Sequence, residues 1–181
     1  MSNNETVKIA ISGGMGKMGL LLSDFIENKD GYDISGIYDP EKESNTYHNY
    51  KSIDEINADI LVEFSPANSI NENLSVLAKK KINLVVGSSG ISESSLETLK
   101  SNIDDHQFIC IIPNFSIGAS FQKIFSGLLN NNFPEVSIEE RHHSNKKDSP
   151  SGTAVDMAQS LEHEERSSTE IKESSDFEEN V

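Results

Sequence analysis

The sequence predicts an α/β fold: a doubly wound parallel sheet followed by the start of a second, α+β domain. Short apolar segments alternate with amphipathic helical segments up to residue 116, the pattern of strands joined by crossover helices. A glycine-rich turn joins the first strand to the first helix. Such an alternation requires right-handed crossovers and a parallel sheet with helices on both faces.

The elements follow in order along the chain. The predicted strands of the sheet are residues 7–11, 33–38, 59–65, 82–86 and 108–112. The predicted helices between them are residues 20–26, 68–80 and 92–102, and a short helical turn is expected at 53–56. A further helix at 117–129 leaves this domain, and a strand at 136–142 begins the next one. We therefore predict a Rossmann-type dinucleotide-binding domain over residues 1–116 and a partial substrate domain over 117–161.

The first turn has the context of a dinucleotide fingerprint, since it lies between a strand and a helix. Its residues are Ser12-Gly13-Gly14-Met15-Gly16-Lys17-Met18-Gly19. Gly13 permits the tight turn, Gly16 allows a pyrophosphate to approach the helix N-terminus, and Gly19 allows close packing of helix and strand. The spacing is not the commoner G-x-G-x-x-G, so a turn that only packs is the alternative. We predict that residues 13–18 bind the cofactor.

Asp39 ends the second strand at the place where an acidic residue hydrogen-bonds the ribose of a bound dinucleotide, about 20 positions past the glycines. Its charge would repel a 2′-phosphate. Pro40 offers no compensating cation, and Lys42 could reach the site less predictably. We predict that NADH is used at least as well as NADPH. The turn Gly87-Ser88-Ser89-Gly90 after the fourth strand is placed at the same, ligand-facing edge of the sheet.

The densest group of ionisable side chains lies between Glu140 and Ala154 and includes His142, His143, Lys146 and Lys147. Ser151 is predicted as the N-cap of a helix. Unpaired N–H groups at a helix start form an anion site, and nearby lysines strengthen it. Imidazoles beside such a site can protonate a bound substrate that carries carboxylates. The alternative is a solvated basic loop before an ordinary helix.

Composition excludes several classes of function. The chain has 30 acidic and 15 basic residues and a net charge of −15, which disfavours nucleic acid and anionic membranes as partners. The single Cys110 is predicted in a buried strand, so no internal disulfide or cysteine metal site is expected. Adjacent His142 and His143 point to opposite faces of a strand, so no metal site is predicted there. Without a leader or transmembrane pattern, a cytoplasmic protein is expected.

Residues 162–181 differ in character from the rest of the chain. They contain eight acidic and two basic side chains, and only Ile171, Phe177 and Val181 are large and apolar. This composition predicts an acidic segment that is disordered or peripheral.

Four motifs in order resemble the dihydrodipicolinate reductase (4-hydroxy-tetrahydrodipicolinate reductase) family. They are the glycine turn at 13–19, the turn at 87–90, Asn114-Phe115-Ser116 with Gly118, and the run 140–154. The resemblance covers about residues 7–161. It implies hydride transfer from NADH or NADPH to C4 of dihydrodipicolinate, giving tetrahydrodipicolinate, in lysine and diaminopimelate biosynthesis.

The resemblance also implies residue roles. His142 aligns with the general acid, Lys146 with a second catalytic cation, and His143 with a substrate contact. Substrate carboxylates are expected at Ser151, Gly152 and Thr153, and further cofactor contacts at Ile112, Pro113, Asn114 and Phe115. The family is homotetrameric and continues past this helix with strands that complete its substrate domain. Nothing in residues 162–181 resembles those strands, so we expect the chain to lack the C-terminal part of the family.

Two other functions compete with the reductase. The first is a nucleotide-binding remnant that binds NAD(H) without turnover, which the missing strands would favour. The second is another oxidoreductase of similar architecture, such as an amino-acid or aldehyde dehydrogenase. Such an enzyme would need a catalytic cysteine or a differently spaced lysine, and Cys110 is predicted to be buried.

Overall fold

The computed structural model describes residues 6–112, 114–133, 135–141, 150–161 and 170–174. The chain divides into two compact units, Met1–Ile112 and Pro113–Val181. The division between these units falls after Ile112. Asn114 is hydrogen-bonded within the second unit, where its Nδ2 donates to Thr153 Oγ1 (3.0 Å) and its Oδ1 accepts from Ser116 N (2.7 Å).

The first unit contains a five-stranded sheet in the order β2-β1-β3-β4-β5. Its strands are β1 (Val7–Ser12), β2 (Tyr32–Tyr38), β3 (Ile60–Glu63), β4 (Asn83–Val86) and β5 (Ile109–Ile111). All the pairings are parallel, as predicted. The chain moves outward from β1 to β2 and then crosses back to β3. This reversal between β1 and β3 makes their carboxyl ends the place where open α/β sheets bind ligands.

Helices cover both faces of this sheet. They are α1 (Lys17–Glu27), α2 (Ile70–Leu77) and α3 (Glu93–Asn102), with a short 3-10 turn at Ile53–Glu55. Because side chains alternate along a strand, Ile9 and Ile11 lie on one face of β1 and Ala10 on the other. Ile26 of α1 packs in the apolar cluster that contains Ile9 and Ile11, whereas Leu74 of α2 packs in the cluster that contains Ala10. The predicted doubly wound α/β architecture is therefore confirmed.

The pairing of β1 with β2 contains a bulge, which is uncommon in a parallel pair. Ile9 pairs with Ile34 and Ala10 pairs with Gly36, so Ser35 has no partner in β1. The Ser35 hydroxyl donates to Ile9 O (3.4 Å) and accepts from the Tyr50 hydroxyl (3.2 Å). A Cβ on Gly36 would lie 2.6 Å from Tyr50 Cε2, so Tyr50 packs where only glycine fits.

Cys110 is exposed, contrary to the prediction of a buried strand. It lies in β5, which pairs only with β4 at one edge of the sheet. An apolar run such as residues 108–112 predicts a strand but does not show that the strand lies at an edge. No helix in the part of the chain that the structure describes is long and apolar enough to cross a membrane.

The second unit contains α4 (Ile117–Leu129), a 3-10 turn at Asn130–Asn132, β6 (Ser137–Arg141), α5 (Gly152–Leu161) and β7 (Glu170–Ser174). Strands β6 and β7 pair in parallel, from Ser137 opposite Glu170 to Arg141 opposite Ser174. The prediction of disorder is therefore wrong for residues 170–174, and a peripheral position for this segment stays a prediction. Strand pairing satisfies backbone N–H and C=O groups, which composition does not report.

Candidate active site

The glycine turn lies at the carboxyl end of β1, where it is held against β2 and enters α1. Gly13 has φ +68°, which confirms the predicted tight turn. Its N–H donates to Tyr38 O (2.8 Å), and Gly16 N donates to Gly13 O (3.0 Å). Gly16 is the N-cap of α1, and because glycine has no side chain it supplies no capping hydrogen bond. The first-turn N–H groups that follow it have no intrahelical partner, so they are available to an anion.

The glycines of the turn differ in what excludes a side chain. A Cβ on Gly13 would lie 2.7 Å from the Phe64 backbone, and one on Gly14 would lie 2.3 Å from Ile37 Cγ2. A Cβ on Gly19 would lie 2.5 Å from Gly14, so Gly19 packs on the turn rather than on a strand. A Cβ on Gly16 would have Gly13 O as its nearest atom, at 3.2 Å, so Gly16 is the least crowded of the four positions. Even at Gly16 a Cβ would be crowded, so all four positions favour glycine.

Asp39 is fixed beside this turn by backbone donors. Its Oδ2 accepts from Met15 N (3.2 Å), and its Oδ1 accepts from Glu41 N (3.0 Å) and Lys42 N (3.1 Å). A carboxylate has about four lone-pair sites, so Oδ2 retains capacity for a ribose hydroxyl. The structure thus brings Asp39 and the glycine turn together, as their spacing suggests.

A pocket of about 470 Å³ opens next to Asp39 and is lined by residues 38–43 and 49–51. Its two lysines are Lys42 and Lys51. Lys51 Nζ is 2.6 Å from Glu43 Oε1, and this ion pair lowers the pKa of Glu43 through the hydrogen bond and the charge of Lys51. The pocket also contains Glu41, so its acidic groups offset its lysines. This charge balance gives a 2′-phosphate little support.

The 87–90 turn is tied to the end of β3. Gly87 N donates to Glu63 O (2.9 Å), and the buried Ser88 hydroxyl donates to the same oxygen (3.2 Å). Ile112 N donates to Val86 O (2.8 Å), so residue 112 stays beside β4. The glycine turn, the 87–90 turn and Ile112 therefore all lie at the carboxyl edge of the one sheet.

In the second unit, Ser151 is held by Glu140 on β6. Glu140 Oε1 accepts from Ser151 N (2.7 Å), and its Oε2 accepts from the Ser151 hydroxyl. Ser151 Oγ also accepts from Ala154 N (3.1 Å), which confirms Ser151 as the N-cap. Because its N–H and hydroxyl are both bound to Glu140, the donors left at this helix start are those of Gly152 and Thr153. The sequence pattern alone does not indicate this role for Glu140.

Four of the predicted site residues lie outside the described part of the chain: His142, His143, Lys146 and Pro113. Thr153 lies at the start of α5, with its hydroxyl accepting from Asn114 Nδ2. Asn114 and Phe115 lie in the second unit, just ahead of α4. Among the residues that the structure describes, no group of three or more His, Cys, Asp or Glu side chains could hold a metal ion.

Two family models together match nearly the whole chain. The model described as dihydrodipicolinate reductase, N-terminus, matches residues 7–115, and that described as dihydrodipicolinate reductase, C-terminus, matches residues 116–179. The chain belongs to the dihydrodipicolinate reductase family. The second match extends to residue 179, so the prediction that residues 162–181 do not resemble the family is wrong.

Similar proteins bear the same family name. The 4-hydroxy-tetrahydrodipicolinate reductase of Legionella pneumophila (strain Philadelphia 1) is 33% identical over 155 residues, covering 85% of this chain and 62% of the relative. That of Cutibacterium acnes is 31% identical over 150 residues, covering 82% of this chain and 58% of the relative. The chain thus spans about three fifths of the length of these dihydrodipicolinate reductases.

Solved structures support the fold. A dipicolinate-bound dihydrodipicolinate reductase from Paenisporosarcina sp. TG-14 has a TM-score of 0.71 at 20% identity, covering 94% of this chain and 79% of that one. A myo-inositol 2-dehydrogenase from Lactobacillus plantarum has a TM-score of 0.51 at 16% identity, covering 76% of this chain and 44% of that one. At these identities both likenesses concern the fold alone.

Proposed function

We propose that this dihydrodipicolinate reductase family member reduces 4-hydroxy-tetrahydrodipicolinate to tetrahydrodipicolinate with NADH or NADPH, in lysine and diaminopimelate biosynthesis in the cytoplasm. The observation that carries the proposal is the match of both family models, over residues 7–115 and 116–179. The glycine turn, Asp39 and the 87–90 turn on one edge of the sheet fit a dinucleotide. The helix N-terminus that begins at Gly16 and the remaining acceptor capacity of Asp39 are the features that fit it best.

In this proposal the first unit binds and orients the cofactor, which supplies the hydride when bound. The N-terminus of α1 receives the pyrophosphate, because its N–H groups and the helix dipole favour an anion. Asp39 accepts hydrogen bonds from the adenosine ribose. Gly87 and Ser88 keep the 87–90 turn against the end of β3. The family resemblance implies that this turn lies near the nicotinamide.

The second unit would bind and protonate the substrate. Gly152 and Thr153, at the exposed start of α5, are donors for a carboxylate. His142 would donate the proton after hydride delivery, with Lys146 and His143 beside it, as the family resemblance implies. A dicarboxylate fits this set of donors, and the Paenisporosarcina enzyme was solved with dipicolinate bound.

The test is NADH oxidation by the 181-residue chain with dihydrodipicolinate generated in situ. Turnover that depends on this substrate supports the reductase. NADH binding without turnover supports the alternative, a nucleotide-binding remnant. Absence of both binding and turnover would contradict the two functions together.

Cofactor preference gives a separate prediction. NADH should bind at least as tightly as NADPH, and Asp39→Asn should shift the preference toward NADPH. Removing one charge about 4 Å from a phosphate is worth roughly 1–4 kcal/mol, which is about five-fold or more in relative affinity. Nicotinamide fluorescence reports binding directly, because the chain has no tryptophan. The matched control is Asp33→Asn on the exposed start of β2. A strong NADPH preference in the native chain would disprove the assignment of Asp39.

A further inference from the structure

A sealed polar cluster lies beneath the proposed cofactor site. Its members are Ser12 and Glu63, both fully buried, with Ser65, Asn73 and Ser88 also buried. They come from the carboxyl ends of β1, β3 and β4 and from α2. Glutamate is almost never fully buried unless it is paired. None of the ion pairs found between described residues includes Glu63, so its partners are the neutral groups around it.

The Glu63 side chain organises the loop that follows β3. Its Oε1 accepts from Ser65 N (2.7 Å), and its Oε2 accepts from Asn73 Nδ2 (3.3 Å). Asn73 Nδ2 also donates to Ser65 Oγ (2.8 Å), which lies 3.1 Å from Ser12 Oγ. The carboxyl group therefore fixes the orientation of the Phe64–Ser65 peptide and connects it with both β1 and α2.

That peptide is the surface against which the glycine turn rests. A Cβ on Gly13 would lie 2.7 Å from Phe64 C and O and 3.0 Å from Ser65 N. Phe64 N donates to Ser12 O (2.9 Å), which closes the contact from the other side. The carbonyl of Glu63 meanwhile accepts from both Gly87 N and the Ser88 hydroxyl. Glu63 is thus linked to both turns: to the glycine turn through its side chain and the Phe64–Ser65 peptide, and to the 87–90 turn through its backbone carbonyl.

We propose that Glu63 is a positioning residue for the dinucleotide, whose buried carboxyl group sets the separation between the glycine turn and the 87–90 turn. The proposal rests on the proposed function, because it assumes that one ligand spans both turns. Glu63 touches neither ligand nor reacting atoms. It acts by holding the peptide that Gly13 contacts, and small displacements of binding groups are costly.

The first test is NADH affinity, measured by nicotinamide fluorescence. Glu63→Ala should weaken NADH binding by roughly ten- to a hundred-fold. ADP, which reaches the glycine turn and Asp39 but not the 87–90 turn, should lose less affinity. Glu63→Gln should restore NADH binding to within about three-fold of the native value, since the Asn73 amide can rotate to face the new amide. A general loss of folding would not produce this split or this rescue.

Val62→Ala is the matched control. Val62 is the neighbour of Glu63 on β3, is also buried, and joins the apolar cluster that contains Ile9 and Ile11. It should lower the melting temperature and leave NADH affinity unchanged. If Glu63→Ala does not fold, Glu63→Asp and Asn73→Ala replace it, each with an expected loss of roughly three- to ten-fold. Native affinity in the folded Glu63 and Asn73 variants would overturn the positioning role, whereas no NADH binding by the native chain would overturn the proposed function itself.

The pH dependence of stability gives a second readout. Burial raises the pKa of the Glu63 carboxyl group above its ordinary value of 4.5, and the hydrogen bonds from Ser65, Ser12 and Asn73 oppose this only in part. These facing groups on β1, the loop after β3 and α2 do not titrate, nor does Ser88 after β4. The folded state holds the Glu63 proton more tightly than the unfolded chain does. The contribution of this proton to folding stability is therefore complete below about pH 4.5 and is lost as the pH rises through the folded-state pKa. As the pH rises through this pKa, the melting temperature of Glu63→Gln should therefore increase relative to that of the native chain. A constant difference between the two melting temperatures across this pH range would contradict the buried position of the Glu63 carboxyl group.

Discussion

Replacing Gly13 with alanine is expected to destabilise the first unit by about 2–5 kcal/mol and to remove measurable NADH binding. Two costs add. An L-residue at a left-handed φ such as +68° costs about 1–2 kcal/mol, and forcing a methyl group into packed atoms costs about 1–3 kcal/mol. The contact is with the Phe64 backbone rather than with a flexible side chain, so the turn itself must move. Displacing the α1 N-terminus separates its N–H groups from the pyrophosphate.

Gly31→Ala provides a matched control for this substitution. Gly31 has φ +86°, and a Cβ there would meet nothing within 4 Å. This variant should therefore lose only about 1–2 kcal/mol and bind NADH with native affinity. Urea unfolding and NADH titration of both variants give the comparison. Equal losses of stability, with NADH binding retained in both, would mean that the close approach of Gly13 to Phe64 does not define the site.

His142→Gln is expected to lower kcat by roughly 10²–10⁴ and to leave the Kd for NADH unchanged, because glutamine cannot act as a general acid near neutral pH. The expectation rests on the family resemblance and on the placement of His142 between β6 and α5 in the sequence. Steady-state kinetics with substrate generated in situ, together with NADH titration, measure both quantities. His106→Gln, on an exposed loop of the first unit, is the control and should retain native activity. A kcat for His142→Gln within about three-fold of native would exclude His142 as the proton donor.

The elements of the first unit follow closely from local patterns. Apolar alternation, glycine at the first turn and serine at helix starts are encoded within a few residues, and the spacing from the glycines to Asp39 follows from one βαβ unit. These features depend on neighbours in the sequence. The observed strands accordingly differ from the predicted ones by only one or two residues at most ends.

The features that sequence analysis missed depend on distant partners. Glu63 is one polar residue in an apolar strand, and its burial depends on Ser12, Ser65 and Asn73, which only the folded sheet brings together. Glu140 meets Ser151 across the loop between β6 and α5. Cys110 is exposed because β5 is an edge strand, and β7 forms because β6 offers backbone partners. Strand order and backbone pairing are properties of the whole fold, so no local pattern reports them.

At Ser35, β2 contains one residue more than the β1 segment with which it pairs. Because successive side chains alternate between faces, this extra residue decides which face each side chain from Gly36 onward occupies. It places Ile37 against Gly14 and brings Asp39 to the backbone of Met15. Losing a single codon here would rotate the end of the strand and withdraw that carboxylate from the glycine turn. The proposed choice of cofactor therefore depends on the length of a strand as well as on side-chain chemistry, and evolution can reach a new preference through an insertion or deletion that no substitution scan samples.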